Sequence, residues 1–314
     1  LRTEMRLDDR VVVLGEDVGR AGGVFRATAG LQELFGEDRC FDTPVSEAGI
    51  VGAAVGMAAA GLRPVVEIQF AGFVYPAFNQ IAGHLSRMRN RTRGAVTAPL
   101  VVRMPYGAGT GAPEHHAESP EALFGHLSGL KVVIPSTPHD AKGLLISAIR
   151  DPDPVLFMEP KRIYRSVRQQ VPHGGYEVRI GRARVVAPGE QATLVSYGAQ
   201  MKEAREAAAL LRDEGISVEL IDLRTVYPFD VETVVESVRK TGWLVVAHES
   251  PRSFGVGAEL VASVLEGVSA QLRAPPVRLC GADTVVPLAR GERHYLIDAG
   301  RIAGEVRSAL ARAW

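Results

Sequence analysis

The chain has 314 residues, and its 36 Lys and Arg side chains balance its 36 Asp and Glu side chains, so the formal net charge is zero. This balance gives no overall field that would attract nucleic acid or an anionic membrane, and we expect neither as a partner. Hydrophobic residues make up 46% of the chain and charged residues 23%, a mixture typical of a folded globular protein. The length favours two domains.

The chain contains only two cysteines, Cys40 and Cys280, which lie far apart. They cannot build a disulfide framework or a Cys-based zinc site, and they fit a reducing compartment. The longest stretch without Asp, Glu, Lys or Arg, residues 68–86, contains polar residues and does not read as a membrane span. No signal peptide or mitochondrial targeting segment is visible, so we expect a bacterial cytoplasmic protein. Because the chain begins with Leu1, we expect its true start to be trimmed.

Short β-branched runs alternate with segments of helical spacing along the first half of the chain, and this alternation predicts an α/β fold with a mostly parallel sheet. The predicted strands are residues 11–14, 64–68, 99–104, 131–134 and 154–157, and the predicted helices are residues 25–35, 48–60, 73–88, 120–127 and 140–149.

The pattern is interrupted after residue 160 by a basic stretch with Pro and Gly, and then resumes. The later predicted strands are residues 193–196, 217–221, 244–247 and 277–280, and the later predicted helices are residues 200–214, 231–240, 258–265 and 298–313. The sequence therefore predicts a first domain over 1–165, a linker over 166–185 and a second, smaller α/β domain over 186–314.

Glu47 is the first candidate for chemistry. It begins a run of small residues, 48–61, that is typical of close packing against another backbone. A carboxylate in such a place is partly desolvated, which suits proton exchange. The alternative, which the residues alone favour, is a helix start in which Ser46 is the cap and Glu47 complements the helix dipole.

Two adjacent histidines, His115 and His116, follow a glycine loop at 107–111 and suggest proton transfer or ligand contact. Neighbouring side chains point in different directions, so we expect only one of them to be catalytic. The alternative is a surface loop with two solvated histidines. The glycine loop loosely matches a dinucleotide-binding pattern, but Pro113 follows where a helix should begin, and no acid ends the next strand, so we set this interpretation aside.

The segment 67–78 concentrates aromatic residues, and most of them are expected in a core. One or two of Phe70, Phe73, Tyr75 and Phe78 are expected to line the site of a flat cofactor.

Arginine recurs at every second position from Arg87 to Arg93. On a strand-like segment these side chains would share a face, and we expect a solvated or interfacial loop able to hold an anionic group.

Taken together, these segments resemble the β subunit of the thiamine diphosphate-dependent decarboxylating component of 2-oxo acid dehydrogenase complexes. The resemblance covers nearly the whole chain, and the 67–80 segment is more similar to branched-chain members than to pyruvate members. The matching blocks are 15–19 (GEDVG), 43–56 (TPVSEAGIVGAAVG), 67–80 (EIQFAGFVYPAFNQ), 115–130 (HHAESPEALFGHLSGL), 131–135 (KVVIP), 222–230 (DLRTVYPFD) and 255–259 (GVGAE).

The resemblance implies a transketolase-like pyrimidine-binding domain followed by a transketolase C-terminal-like domain. It also implies that Glu47 hydrogen-bonds the aminopyrimidine ring of the cofactor and so promotes loss of the thiazolium proton. Phe73 matches the aromatic residue that stacks on that ring, and Gln69 lies near the same pocket. His116 matches a histidine implicated in acylation of the lipoyl group. His115 and Glu118 depart from the residues usual around it.

The resemblance further implies bound metal ions and a diphosphate, and this chain supplies only some of the residues that would bind them. Some members bind potassium near 98–101 and 148–153, where Asp151 and Asp153 are candidates, although Ala148 departs from some members. Magnesium and the diphosphate are bound in the family by a GDG motif, which does not occur in this chain. We therefore expect an α subunit to supply that half of the site, in an assembly of two α and two β chains.

The expected activity is oxidative decarboxylation of a branched-chain 2-oxo acid or pyruvate, with acyl transfer to a lipoyl group of the acyltransferase core. The second domain is expected to serve β–β contact and core docking, with His248 and Glu249 as structural residues. One alternative is an acetoin dehydrogenase β subunit. The other is a non-catalytic scaffold that has kept the fold, which the presence of Glu47, Phe73 and His116 disfavours.

Overall fold

The chain folds into two β-sheets, each with helices on both faces, in a computed structural model that describes residues 1–312. Up to residue 160 the strands are β1 (Val11–Gly15), β2 (Cys40–Asp42), β3 (Arg63–Glu67), β4 (Val101–Tyr106), β5 (Lys131–Val133) and β6 (Val155–Pro160). The helices of this part are α1 (Arg2–Leu7), α2 (Leu31–Phe35), α3 (Glu47–Ala59), α4 (Phe78–Gln80), α5 (Met88–Arg91), α6 (Glu121–Gly125) and α7 (Pro138–Arg150).

The second part of the chain repeats this architecture on a smaller scale. Its strands are β7 (Arg184–Ala187), β8 (Ala192–Ser196), β9 (Val218–Asp222), β10 (Thr225–Tyr227), β11 (Leu244–Pro251) and β12 (Val277–Gly281). Its helices are α8 (Gln200–Asp213), α9 (Val231–Thr241), α10 (Val256–Val268), α11 (Ala289–Tyr295) and α12 (Ala299–Leu310).

The first sheet has the order β10-β5-β6-β4-β3-β1-β2, and only its edge strand β10 is antiparallel to its neighbour. The second has the order β12-β11-β8-β9-β7, with β7 antiparallel to β9. The predicted fold of two doubly wound α/β units is confirmed. The division at 1–165, 166–185 and 186–314 stays a prediction, and the strand β10 from the later part of the chain completes the first sheet.

The strands form where they do because they are buried on both faces, which favours continuous β-branched runs over alternation. All five residues of β1 and all six of β4 are buried. One hydrophobic core joins the two sheets, since side chains of α3 and β4 belong to the same cluster as those of α9 and α10. Separate clusters cover the outer faces, beneath α1 and α7 on the first sheet and beneath α8 and α12 on the second.

Three helix predictions need correction. The helix expected over 25–35 begins only at Leu31, because Gly30 before it has a left-handed φ of 75°. The segment expected as one helix over 73–88 is divided into 3₁₀ turns, α4 and a π turn at Ile81–Leu85. Pro76, which has no backbone N–H, lies at the start of the 3₁₀ turn Tyr75–Ala77. The last helix ends at Leu310, and position 313 of its predicted range lies outside the described residues.

The arginine segment is also not strand-like, because Met88–Arg91 forms the short helix α5. Arg89 pairs with Asp153, and Arg91 donates a hydrogen bond to the carbonyl of Gly83. The arginines therefore do not share the single face that a strand would give them. In residues 1–312 we find no helix long and apolar enough to cross a bilayer.

Glu121 links the two parts of the fold. It is 0% exposed on α6, and its Oε1 accepts a hydrogen bond of 2.8 Å from the hydroxyl of Tyr197, which follows β8. Burial raises the pKa of Glu121 from 4.5 to about 7. The ionised carboxylate is therefore a cost to the folded state near neutral pH.

Replacing this carboxyl, Glu121→Gln, should change how stability depends on pH. In the unfolded wild type the group ionises near pH 4.5 but in the folded protein near pH 7, so its contribution to the free energy of unfolding falls as pH rises through that window, by on the order of 3 kcal/mol. Urea denaturation at pH 5 and pH 8 should show the variant gaining stability relative to wild type at pH 8. Glu236→Gln, an exposed change on α9, is the control. An unchanged difference at the two pH values would contradict the burial cost.

Candidate active site

The carboxyl ends of β1 and β3 mark the position at which the first sheet reverses its strand order. β1 lies between β2 and β3, so successive strands are added on one side of β1 and then on the other. Loops that leave the sheet at such a point diverge, and the crevice between them is the usual ligand site of open α/β sheets. The residues singled out in the sequence follow β1, β2, β3 and β4 at this edge.

Glu47 is half-buried at the first position of α3. Ser46 caps this helix by accepting a hydrogen bond of 3.3 Å from the N–H of Gly49, so the helix-start interpretation is confirmed. The carboxylate lies near enough to the buried Glu16, which follows β1, for its charge to act on that residue. Burial and then the charges of Glu47 and Asp17 raise the pKa of Glu16. A role of Glu47 in proton exchange stays a prediction.

Gln69 joins two of the crevice loops. Its amide donates a hydrogen bond of 2.9 Å to the carboxylate of Asp17, so the segment after β3 is tied to the segment after β1. Phe70 and Phe73 follow, and their rings meet edge to face with centroids 5.7 Å apart. Both rings remain partly exposed.

His116 packs against this aromatic pair. Its ring centroid lies 4.4 Å from that of Phe70 and 5.1 Å from that of Phe73, both in edge-to-face geometry. Its Nδ1 is buried and has no hydrogen-bond partner among residues 1–312. The adjacent His115 is exposed instead. The two neighbouring histidines therefore differ as the sequence suggested, and His116 is the one directed into the crevice.

Gly72 explains how the histidine turn comes so close to the aromatic segment. A Cβ at this position would collide with the carbonyl oxygen of His115, so only glycine lets the 3₁₀ turn Ala71–Phe73 lie against the turn Glu114–His116. The unusual Glu118 accepts a hydrogen bond of 3.2 Å from the hydroxyl of Tyr75. Tyr75 and Glu118 thus form a second link between the same two segments.

The two aspartates considered for a monovalent cation are each paired with a basic side chain. Both carboxylate oxygens of Asp151 accept hydrogen bonds from Lys131, at 2.7 and 2.6 Å. Asp153 pairs with Arg89 at 2.6 Å. The two aspartates lie apart from Glu47 and His116. Their role in cation binding stays a prediction.

Sequence reasoning assigned no role to Glu16 or to a buried ionic group at the same edge. Arg103 on β4 lies between Glu67 on β3 and Glu159 at the end of β6, with ion-pair distances of 2.7 Å to both. The sequence did contain an indication of this group, since each of these three residues is a charged residue within a largely apolar strand. A charge buried in this way needs a partner. Their separation in sequence hid the pairing.

Comparison with known proteins places this chain in a family. The family model "Transketolase, pyrimidine binding domain" matches residues 1–167, and "Transketolase, C-terminal domain" matches residues 181–302. The pyruvate dehydrogenase E1 component subunit β of Acholeplasma laidlawii is 53% identical over 98% of this chain and 94% of its own length. The protein of the same name from Bacillus subtilis is 49% identical over 94% of this chain and 91% of its own length.

The chain belongs to the family of thiamine diphosphate-dependent 2-oxo acid dehydrogenase β subunits. A solved structure described as a split gene transketolase, an inactive β4 tetramer, matches 99% of this chain and 95% of its own with a TM-score of 0.78, and at 24% identity this likeness concerns the fold alone. The predicted family and its two transketolase-like domains are confirmed. The 67–80 segment suggested a branched-chain substrate, but neither of these two relatives is named for one.

The residues of this β subunit fit one half of the family's cofactor. The crevice offers a carboxylate at Glu47, an accessible ring at Phe73 and the unpartnered Nδ1 of His116. Within residues 1–312, no group of three or more His, Cys, Asp or Glu side chains is placed to hold a metal ion. An aromatic face and a carboxylate at one edge of the sheet are compatible with a pyrimidine ring.

Proposed function

We propose that this chain is the β half of a pyruvate dehydrogenase, which decarboxylates pyruvate with thiamine diphosphate and passes the acetyl group to a lipoyl group of an acyltransferase core. The observation that carries the proposal is the placement of Phe73 and His116, 5.1 Å apart, at the sheet edge where Glu47 begins α3. The names of relatives 48–53% identical over nearly the whole chain support pyruvate as the substrate.

Each crevice residue has a distinct role in this proposal. Glu47 accepts a hydrogen bond from the aminopyrimidine ring, and its partial burial beside Glu16 strengthens that bond. Phe73 packs on the ring, and Gln69, held by Asp17, borders the same pocket. His116, whose ring packs against Phe70 and Phe73, transfers a proton during acylation of the lipoyl group. When bound, thiamine diphosphate supplies the thiazolium carbon that attacks the 2-oxo group.

The partner must complete the site. Because the chain has no GDG motif and the described residues offer no metal cluster, we propose that an α subunit binds magnesium and the diphosphate. The assembly would contain two α and two β chains, with the crevice at a subunit interface. A potassium ion near Asp151 and Asp153 would have to compete with Lys131 and Arg89 for their carboxylates.

Reconstitution tests the proposal as a whole. The chain, combined with a GDG-bearing α subunit, thiamine diphosphate and magnesium, should decarboxylate pyruvate and acetylate a lipoyl domain. A preference for branched-chain 2-oxo acids would correct the substrate, and activity with acetoin in place of pyruvate would favour the acetoin dehydrogenase alternative. An assembled pair that transforms none of these would support the scaffold alternative and refute the enzyme.

Glu47→Gln should leave assembly intact but slow exchange of the thiazolium proton of bound thiamine diphosphate by at least about 100-fold, the usual contribution of a positioned acid–base group. The amide keeps the size of the side chain and removes its charge. Exchange is measured by quenched-flow deuterium incorporation. Glu33→Gln, an exposed change on α2, is the control. Exchange at a near-normal rate in the Glu47 variant would contradict its assignment.

His116→Ala should lower acetyl transfer to the lipoyl domain by about 100-fold and lower decarboxylation with an artificial electron acceptor by less than about tenfold. The reason is that the histidine is expected to move a proton only in the lipoyl half-reaction. The exposed neighbour His115 provides the matched control His115→Ala, which should affect neither rate. Equal losses in both half-reactions of the His116 variant would remove its special role.

A further inference from the structure

The loop that carries His116 has little structure of its own. It leaves β4 at Gly107, and its glycines Gly107, Gly109 and Gly111 have φ angles of 88°, 94° and 69°. Glycines in this region of φ are conformationally free in an isolated chain, so fixing the loop costs entropy. Between residues 107 and 117 the only regular element is the 3₁₀ turn Glu114–His116. Contacts from outside must therefore hold the loop and, with it, the histidine ring.

Lys161 provides the first contact. It follows β6, is 5% exposed, and its ammonium donates hydrogen bonds to the carbonyl oxygens of Gly107 and His116. One ammonium thus ties together both ends of the loop. Burial lowers the pKa of Lys161 to about 8, while the charges of Glu249 and Glu292 oppose that shift. Those two carboxylates help to keep a buried cation in place under the loop.

Glu292 provides the second contact and comes from the other half of the chain. It lies on α11, where its Oε1 accepts a hydrogen bond of 2.7 Å from the N–H of Gly109 and its Oε2 accepts one of 2.8 Å from the N–H of Gly111. Both bonds are short and charge-assisted, the stronger class of protein hydrogen bond. Two backbone N–H groups of this glycine loop therefore bind a carboxylate of the same chain.

An apolar contact joins the same two parts. Ala108 and Ala117, near the two ends of the loop, form a small buried cluster with Tyr295 of α11. The hydroxyl of Tyr295 donates a hydrogen bond of 3.1 Å to the carbonyl oxygen of Glu249 on β11. The helix α11 is thus attached to β11 of the second sheet, and it also holds the loop 107–117 that leaves the first sheet.

We propose that Lys161 and Glu292 are positioning residues that hold the loop 107–117 and so fix the ring of His116 against Phe70 and Phe73. The second half of the chain then contributes to acyl transfer without touching the substrate. The kinetic part of this inference rests on the proposed function, because it uses the role of His116 in the lipoyl half-reaction. The structural part, that two side chains immobilise the loop, does not depend on it.

Glu292→Gln and Lys161→Met test both parts. Each keeps the approximate shape of the side chain and removes its charge. Methionine cannot donate the two hydrogen bonds of Lys161, and glutamine keeps one acceptor oxygen where Glu292 has two. In the assembled α and β complex we expect amide hydrogen exchange in peptides covering 107–117 to accelerate at least about tenfold, the effect of losing a charged hydrogen bond. We also expect acetyl transfer to the lipoyl domain to fall at least about tenfold while decarboxylation with an artificial acceptor falls less than about threefold.

Glu214→Gln is the matched control. Glu214 also lies in the second half of the chain and accepts two hydrogen bonds through both oxygens, at 2.7 and 2.8 Å, but from Arg307 at the surface. This change should alter neither the exchange of the loop nor the ratio of the two half-reactions. A loss of loop protection in the control would show that the readout reports general loosening and would overturn the assignment to Lys161 and Glu292.

The outcomes separate the two proposals. Unchanged exchange over 107–117 in both variants would overturn the inference, whatever the activity. Faster exchange with equal losses in both half-reactions would overturn the link to His116. Should Lys161→Met fail to assemble, Glu292→Gln decides alone, since it replaces one oxygen by an NH₂ group of nearly the same volume. A wild-type complex without decarboxylase activity would refute the proposed function, while the exchange measurement would still decide whether the two side chains hold the loop.

Discussion

A single buried guanidinium holds the strand ends on which the crevice is built. Arg103 is 2% exposed and bridges Glu67 and Glu159 across three adjacent parallel strands. Breaking a buried pair of this kind leaves an uncompensated charge, at a cost of about 3–5 kcal/mol. The strands β3, β4 and β6 are thereby fixed to one another just before the chain leaves them, and the segments that carry Phe73, His116 and Lys161 start from fixed positions.

The aromatic residues extend this constraint from the sheet into the loops. Tyr164 donates a hydrogen bond to Glu159, and its ring lies 5.0 Å from that of Phe25, which in turn meets Phe70 at 5.6 Å. Phe70 contacts His116. A continuous path of contacts therefore runs from the buried ion pairs to the histidine. These rings are partly exposed, and the buried Nδ1 of His116 has no hydrogen-bond partner among the described residues. Both features are expected where another molecule completes the site.

The sequence predicted those features that depend on neighbouring residues. The buried strands were recognisable from their β-branched runs, and Ser46 from its place before a helix. The break at Pro76 was missed because the apolar spacing around it continues as if for a helix. The short strand β10 was missed because three residues carry too weak a pattern, and its place in the first sheet depends on partners about ninety positions away.

The site was predictable only in part, for a similar reason. The specific roles of Glu47, Phe73 and His116 came from family resemblance, since the residues alone favoured a helix-start acid at Glu47 and left both interpretations of the histidines open. The contact of Gly72 with His115 and the bridging of Glu67 and Glu159 by Arg103 join residues more than 35 positions apart. Such pairings are set by sheet order, and sheet order is decided by the whole chain.

Although the chain has no net charge, basic residues of its first half face acidic residues of its second half where the two halves meet. Basic side chains follow β6, and acidic ones face them from the later part of the chain: Arg162 contacts Glu203 on α8 and Glu249 on β11, while Lys161 lies near Glu249 and Glu292. Because these groups are buried against one another in the folded chain, removing one partner would leave an uncompensated buried charge. Together with the shared hydrophobic core, this makes the two sheets one energetic unit. A substitution in the second half is then expected to reach the crevice through the ions and glycines at this junction.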